Sequence, residues 1–157
     1  MRVEYINPFV EATYNVLREV TQVDVKRGDL YLKNSSIQIM GVAALVGLAG
    51  DVEGRVLFDM TKETALKVVS IMNGGETFTT LDELAKATIT ELANMITGQA
   101  VTKLHELGFK FDLTPPALFS GENMEVSNSM NVEALIVPME LGPCGKIEVN
   151  VVVRERL

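Results

Sequence analysis

The stretch TLDELAKATITELANMITGQAVTKLHELG, Thr80–Gly108, decides how the rest of the chain must be arranged. Thr80-Leu81-Asp82-Glu83 reads as a capping box, with Thr80 as the cap and Glu83 three residues on. Nothing interrupts the helical pattern before Gly108, a natural terminator. The spacing predicts a helix of about 27 residues, roughly 40 Å long at about 1.5 Å per residue. Ala85, Ile89, Leu92, Ile96 and Ala100 fall within roughly 80° of one another on it, and Leu107 joins them. An apolar stripe of that length has to be buried against something equally long.

Two hairpins are available for this. Ser36 to Gly50 is apolar and β-branched, and Asp51 to Met60 reads as its partner, turning near Gly50-Asp51-Val52-Glu53-Gly54. Asn131 to Met139 pairs in the same way with Lys146 to Val153, through a Gly-Pro-Cys-Gly turn. Gly54-Arg55-Val56-Leu57-Phe58 and Gly145-Lys146-Ile147-Glu148-Val149 each place a cation after a turn glycine and then run apolar. Helices precede both. Asn7-Pro8 reads as the start of one through Phe9, Val10, Thr13, Val16, Leu17 and Val20. Thr61 starts another, which Asn73-Gly74-Gly75 ends. Thr114-Pro115-Pro116 must be extended or turning. The pattern predicts an α+β chain of long helices and an antiparallel sheet, duplicated weakly in two halves. No linker separates the halves, so residues 1–157 read as a single domain.

Composition narrows the function. The chain has 157 residues, 47% of them hydrophobic, and a net charge of -7. That fits a packed core and disfavours both nucleic acid and an anionic membrane surface as partners. The single cysteine, Cys144, allows no internal disulfide, and with the single His105 it builds no Cys/His zinc site. The N-terminal MRVEYINPFVEATYNVL lacks the unbroken apolar core of a signal peptide, and no run approaches the length of a membrane span. A cytoplasmic protein is expected.

Opposite the stripe on the long helix lie Ala87, Glu91, Asn94, Gly98 and His105, within roughly 60°. Glu91 and Asn94 are neighbours at i,i+3. Between Ala87 and Val101 the one charge is Glu91, although exposed helix positions normally carry Lys, Glu and Arg. Asn94 and Gly98 both weaken a helix interior. Small residues at Ala87 and Gly98 would let another surface come close. From periodicity alone, the face could be covered by another helix, form a dimer seam, or carry chemistry. The chemistry on offer is one carboxylate and one carboxamide. An amide accepts a hydrogen bond from water and donates one to a phosphoryl oxygen at once, which positions water for in-line attack on an activated phosphate.

Glu91-Leu92-Ala93-Asn94-Met95-Ile96-Thr97-Gly98, followed some twenty residues on by Thr114-Pro115-Pro116, resembles the CheC/CheX/FliY family of chemotaxis phosphatases. Thr64 to Gly75, Leu81-Asp82-Glu83-Leu84 and Asp112 to Pro116 look like the CheX-type members in particular, and the likeness runs from about Gly41 onward. The resemblance implies the family fold, with two pseudo-symmetric halves, and a phosphorylated response regulator, CheY, as substrate. On it, Asn94 orients the attacking water and Glu91 grips a lysine beside the phosphoaspartate. Ala87, Met95 and Gly98 then touch the partner. Magnesium sits on the regulator, this chain carries no metal or cofactor, and a homodimer is implied. Family members often place Asp or Ser four residues before the Glu, where this chain has Ala87 with Thr88 beside it. CheC-type members repeat Glu-x-x-Asn on the first helix. Here Glu11 is followed by Tyr14, and Asn15 is one residue late, so one site is expected. A noncatalytic signalling or flagellar-switch module docking through the same helix is the alternative, and the intact Glu-x-x-Asn favours the enzyme.

Overall fold

The computed structural model describes residues 3–34, 36–127 and 132–156. Its elements run through one order twice. Helix α1 (Val3–Thr21) leads into three short strands, β1 (Lys26–Arg27), β2 (Tyr31–Lys33) and β3 (Ile37–Gln38). The long hairpin of β4 (Val42–Gly50) and β5 (Val52–Met60) follows. After α2 (Lys62–Met72) the order recurs: α3 (Glu83–Glu106), then β6 (Phe111–Leu113), β7 (Ala117–Ser120) and β8 (Glu125–Val126), then the hairpin of β9 (Ala134–Glu140) and β10 (Lys146–Glu155).

The main antiparallel sheet runs β1-β9-β10-β5-β4-β6, with β2 also on β9 and β7 also on β4. The hairpins therefore meet at β5 and β10, and each half lends its short strands to the outer edge of the other. Strands β3 and β8 pair with each other. Aligning Gly54–Phe58 with Gly145–Val149 makes Phe58 and Val149 counterparts, and these two residues face each other in the β5–β10 ladder. The reciprocal exchange of short strands on either side of this ladder relates the two halves by a local two-fold.

Both faces of the central strands are covered. Val56, Phe58, Met60, Val149, Val151 and Val153 join the core beneath the three helices. Leu57, Ala134, Ile136 and Val152 pack on the other face with Ile37 and Ile39. This explains why Val56–Met60 and Val149–Val153 are buried at every position rather than alternately. The second face also holds polar groups. Arg55 Nη1 donates to Asn150 Oδ1 at 3.0 Å, and the Tyr31 hydroxyl donates to Glu148 at 2.8 Å. Asp59, 3% exposed, accepts from the Met40 amide at 3.0 Å.

Several boundaries differ from the sequence reading, each for a local reason. Helix α1 does not start at Asn7-Pro8 but runs through Pro8 from Val3. Tyr5 and Ile6 extend its apolar stripe, and the Tyr5 ring lies edge-on to Phe109 and Phe111 with centroids 5.0 and 5.5 Å away. A proline near a helix start withholds one amide, and this packing outweighs it. Ser36 to Gly50 is not one strand: Gly41, at φ +152, lies between β3 and β4, where an added Cβ would stand 3.2 Å from the Lys62 amide nitrogen. The cap of α3 is Asp82, not Thr80; its carboxylate accepts from the Ala85 amide at 2.8 Å and adds the charge that a helix N-terminus favours. The helix has 24 residues. Leu107 is exposed instead of in the stripe, since the helix ends at Glu106 and Gly108 turns the chain at φ +93. Thr61 caps α2 as expected, accepting from the Thr64 amide. The β9–β10 hairpin forms as read, with Asn131 lying outside the described residues.

Thr114-Pro115-Pro116 bridges two strands that share one neighbour. Strand β6 pairs with Leu48–Gly50 and β7 with Val42–Leu45 of β4. In the gap, the Thr114 amide donates to Gly47 O at 3.0 Å and its hydroxyl accepts from Gly47 N at 2.7 Å. The prolines have no amide to lose there. A Cβ on Gly47 would stand 2.9 Å from Thr114 Cγ2. Gly47→Ala is therefore expected to lower stability by about 1–3 kcal/mol in denaturant melts, and Thr114→Ser added to it should recover part of the loss. Burial raises the Asp59 carboxyl from 3.8 to about 6, against the pull of the Met40 amide and with a smaller push from Glu148. A carboxyl raised on folding contributes stability below its unfolded value and loses it as pH rises through the folded one. Asp59→Asn should thus gain on the wild type between pH 4 and pH 7; an equal gap at both pH values contradicts this.

Candidate functional site

Helix α3 is anchored from within. Ala85, Ile89, Leu92, Ile96 and Ala100 are buried, as the stripe predicts, with Ala93, Val101 and Leu104 beside them. It packs along α1 and against α2. The residue that ties it to α2 carries no sequence signal for that role. Asn73, which ends α2, donates from Nδ2 to Val69 O at 2.9 Å and to Thr88 Oγ1 at 3.0 Å. Thr88 donates in turn to Leu84 O at 2.8 Å. An Asn before Gly-Gly reads as an ordinary helix stop, so only the fold reveals this second contact. It also decides the role of Thr88: this side chain is buried and spent on Asn73, and does not stand in for a polar group at Ala87.

The opposite face is open. Ala87, Glu91, Asn94 and Gly98 are all exposed, so no helix among the described residues covers them. One turn holds Glu91 and Asn94, about 4.5 Å apart along the axis. Neither is bonded within the described residues. The nearby lysines are engaged elsewhere: Lys86 pairs with Glu83 at 3.7 Å and Lys103 with Glu106 at 4.0 Å. Met95 is half-buried and packs against the core. A Cβ on Gly98 would meet nothing within 4 Å, so no internal packing accounts for a glycine there.

A free carboxylate and a free carboxamide on a convex helix make no enclosed pocket. They suit insertion into the cleft of another molecule. A cleft between α1 and α3 is lined by Glu11, Asn15, Gln99 and Thr102, and leaves the pair outside. On α1, Glu11 and Asn15 are exposed while Tyr14 packs half-buried against the core. The position matching Asn94 on the first helix is therefore a core contact. His105 is exposed, and its Nε2 lies 3.1 Å from Phe111 O, linking the end of α3 to β6. Cys144 is buried in a 3-10 turn, Gly142–Cys144, where burial raises its thiol pKa against a smaller pull from Lys67. Among the described residues no group of three or more His, Cys, Asp or Glu is placed to hold a metal ion, and no helix is long and apolar enough to cross a membrane.

The chain is similar to known proteins in both sequence and fold. The family model described as chemotaxis phosphatase CheX matches residues 42–140. The CheY-P phosphatase CheX of Thermotoga maritima is 34% identical over 132 residues, which are 82% of this chain and 83% of that protein. A chain in the crystal structure of the CheX–CheY–BeF3–Mg2+ complex from Borrelia burgdorferi is 46% identical, with a TM-score of 0.85 over 98% of this chain and 100% of that one. A CheC-like superfamily protein from Shewanella, 27% identical, superposes with a TM-score of 0.88 over 98% and 99% of the two chains.

The open space at Gly98 has a measurable consequence. Gly98→Ala should raise stability by about 1 kcal/mol, the helix-propensity difference, since the new methyl displaces nothing. A loss of stability in the denaturant midpoint would mean that the face is packed against something in the folded chain.

Proposed function

This chain belongs to the CheX family of chemotaxis phosphatases, and we propose on that footing that it hydrolyses the aspartyl phosphate of CheY with Glu91 and Asn94. The observation that carries the assignment of these residues is their freedom: a carboxylate and a carboxamide share one exposed helical turn, with no side-chain bond among the described residues and small neighbours on either side. The regulator's phosphoaspartate supplies the bond to be broken. Asn94 enters beside it, its carbonyl oxygen accepting from a water and its amide donating to a phosphoryl oxygen. That water attacks phosphorus in line, the bond from phosphorus to the aspartyl oxygen breaks, and aspartate and inorganic phosphate leave, the water's protons going to phosphate and solvent. Glu91 pairs with a lysine of the regulator and fixes the approach. An acyl phosphate is already activated, so positioning is the contribution required of this chain.

We assign the magnesium ion to the regulator, where it neutralises phosphoryl charge. Among the described residues Glu91 belongs to no group of three or more His, Cys, Asp or Glu placed to hold an ion. A cytoplasmic homodimer completes the reading. It is supported by the single cysteine, which allows no internal disulfide, and by the apolar side chains of Val3, Leu30 and Leu32, exposed beside the sheet edge.

Phosphate release from phosphorylated CheY tests the assignment. Asn94→Ala should fall to the regulator's own rate of dephosphorylation while still binding it. Glu91→Ala should lose affinity first. Gly98→Leu, tolerated by the fold, should raise KM by crowding the contact. Full activity in Asn94→Ala would remove the positioning role.

A further inference from the structure

Leu84 stands almost in line with Glu91 on α3, two turns toward the N-terminus, about 10.5 Å along the axis and about 20° around it. Its side chain is 48% exposed. Among the described residues it is the one large hydrophobic side chain of α3 left exposed; Leu107 lies just past the helix. The other large apolar residues of this helix, Ile89, Leu92, Ile96, Val101 and Leu104, are buried, and Met95 is half-buried against the core.

Nothing in the fold asks for leucine at this position. It is the second residue after the Asp82 cap, in a first turn where the helix dipole favours acidic side chains. Its neighbours Glu83 and Lys86 are charged and pair with each other at 3.7 Å. Its carbonyl accepts from Thr88, a bond any residue would provide. Leu84 and Ala87 thus continue the exposed face of Glu91 and Asn94 as a short apolar extension with a small residue between. Exposed apolar side chains are what the core of a protein interface buries, and a standard contact of about 800 Å² per partner readily spans this distance.

We propose that Leu84 is an apolar anchor for the response regulator, seated on an apolar patch outside its phosphorylation site and governing affinity rather than chemistry. The identity of the partner rests on the phosphatase reading above. At about 15 Å along the axis from Asn94, Leu84 cannot touch the phosphoryl group, so its effect is confined to binding.

The test measures affinity for CheY activated with beryllofluoride and magnesium, which holds the complex without turnover. Phosphate release and thermal melts are followed alongside. Leu84→Ala should weaken binding about tenfold, as truncating a buried anchor does, and raise KM with kcat unchanged. Leu84→Met should bind within about twofold of the wild type, and all three proteins should melt together. Unchanged affinity in Leu84→Ala, or a fall in kcat at unchanged affinity, overturns the anchor. If the variants rank as expected in binding while the wild type releases no phosphate, the phosphatase reading fails and the anchor stands. If the wild type does not bind the activated regulator, both fall.

Discussion

The antiparallel seam between β5 and β10 is the constraint on which the rest of the molecule depends. It runs from Ile147 opposite Met60 to Glu155 opposite Val52, with Val56 and Val151 meeting at its middle. Because these strands are buried on both faces, a slip of one residue would exchange two apolar clusters that differ in size and shape, so the register is strongly held. The two-fold relation at the seam sets everything outward from it. Each hairpin receives its outer neighbours from the opposite half, and the two long helices come to lie together over one face.

The proposed site is a consequence of that arrangement. Catalysis by positioning demands a side chain that does not wander, and misplacement by about 1 Å can cost a hundredfold. Helix α3 supplies the rigidity through its buried stripe and through the Asn73–Thr88 bond one turn before Glu91. The same helix keeps its other face bare, with Ala87 and Gly98 adding little bulk. Stability and access are thus divided between two sides of one element. Gly98 shows the division most plainly, since the chain would be better packed as a helix without it and nothing inside the fold requires it.

Much of this was legible in the sequence, for identifiable reasons. A period of 3.6 places Glu91 and Asn94 opposite Ile89, Leu92 and Ile96 whatever the tertiary context, and the two long hairpins announce themselves by length and turn residues. Whether the bare face was covered by another helix was not legible, because that depends on where α1 and α2 land. The exchange of short strands was hidden as well. Strands of two or three residues, such as Lys26–Arg27 and Tyr31–Lys33, carry no alternation to detect. Pro8 misled because its local preference for a helix start is weaker than the packing of Tyr5 on Phe109 and Phe111. Thr80 misled because a second cap, Asp82, stood two residues on with a carboxylate.

Catalysis in this reading rests on one act: a carboxamide fixed by a rigid helix orients water against an aspartyl phosphate. Glutamine at position 94 keeps the amide and moves it outward by one methylene. The most direct measurement is the single-turnover rate of phosphate loss from phosphorylated CheY saturated with Asn94→Gln. If positioning is the mechanism, this rate falls to about that of the regulator alone while the complex still forms. A rate equal to the wild type's would contradict it.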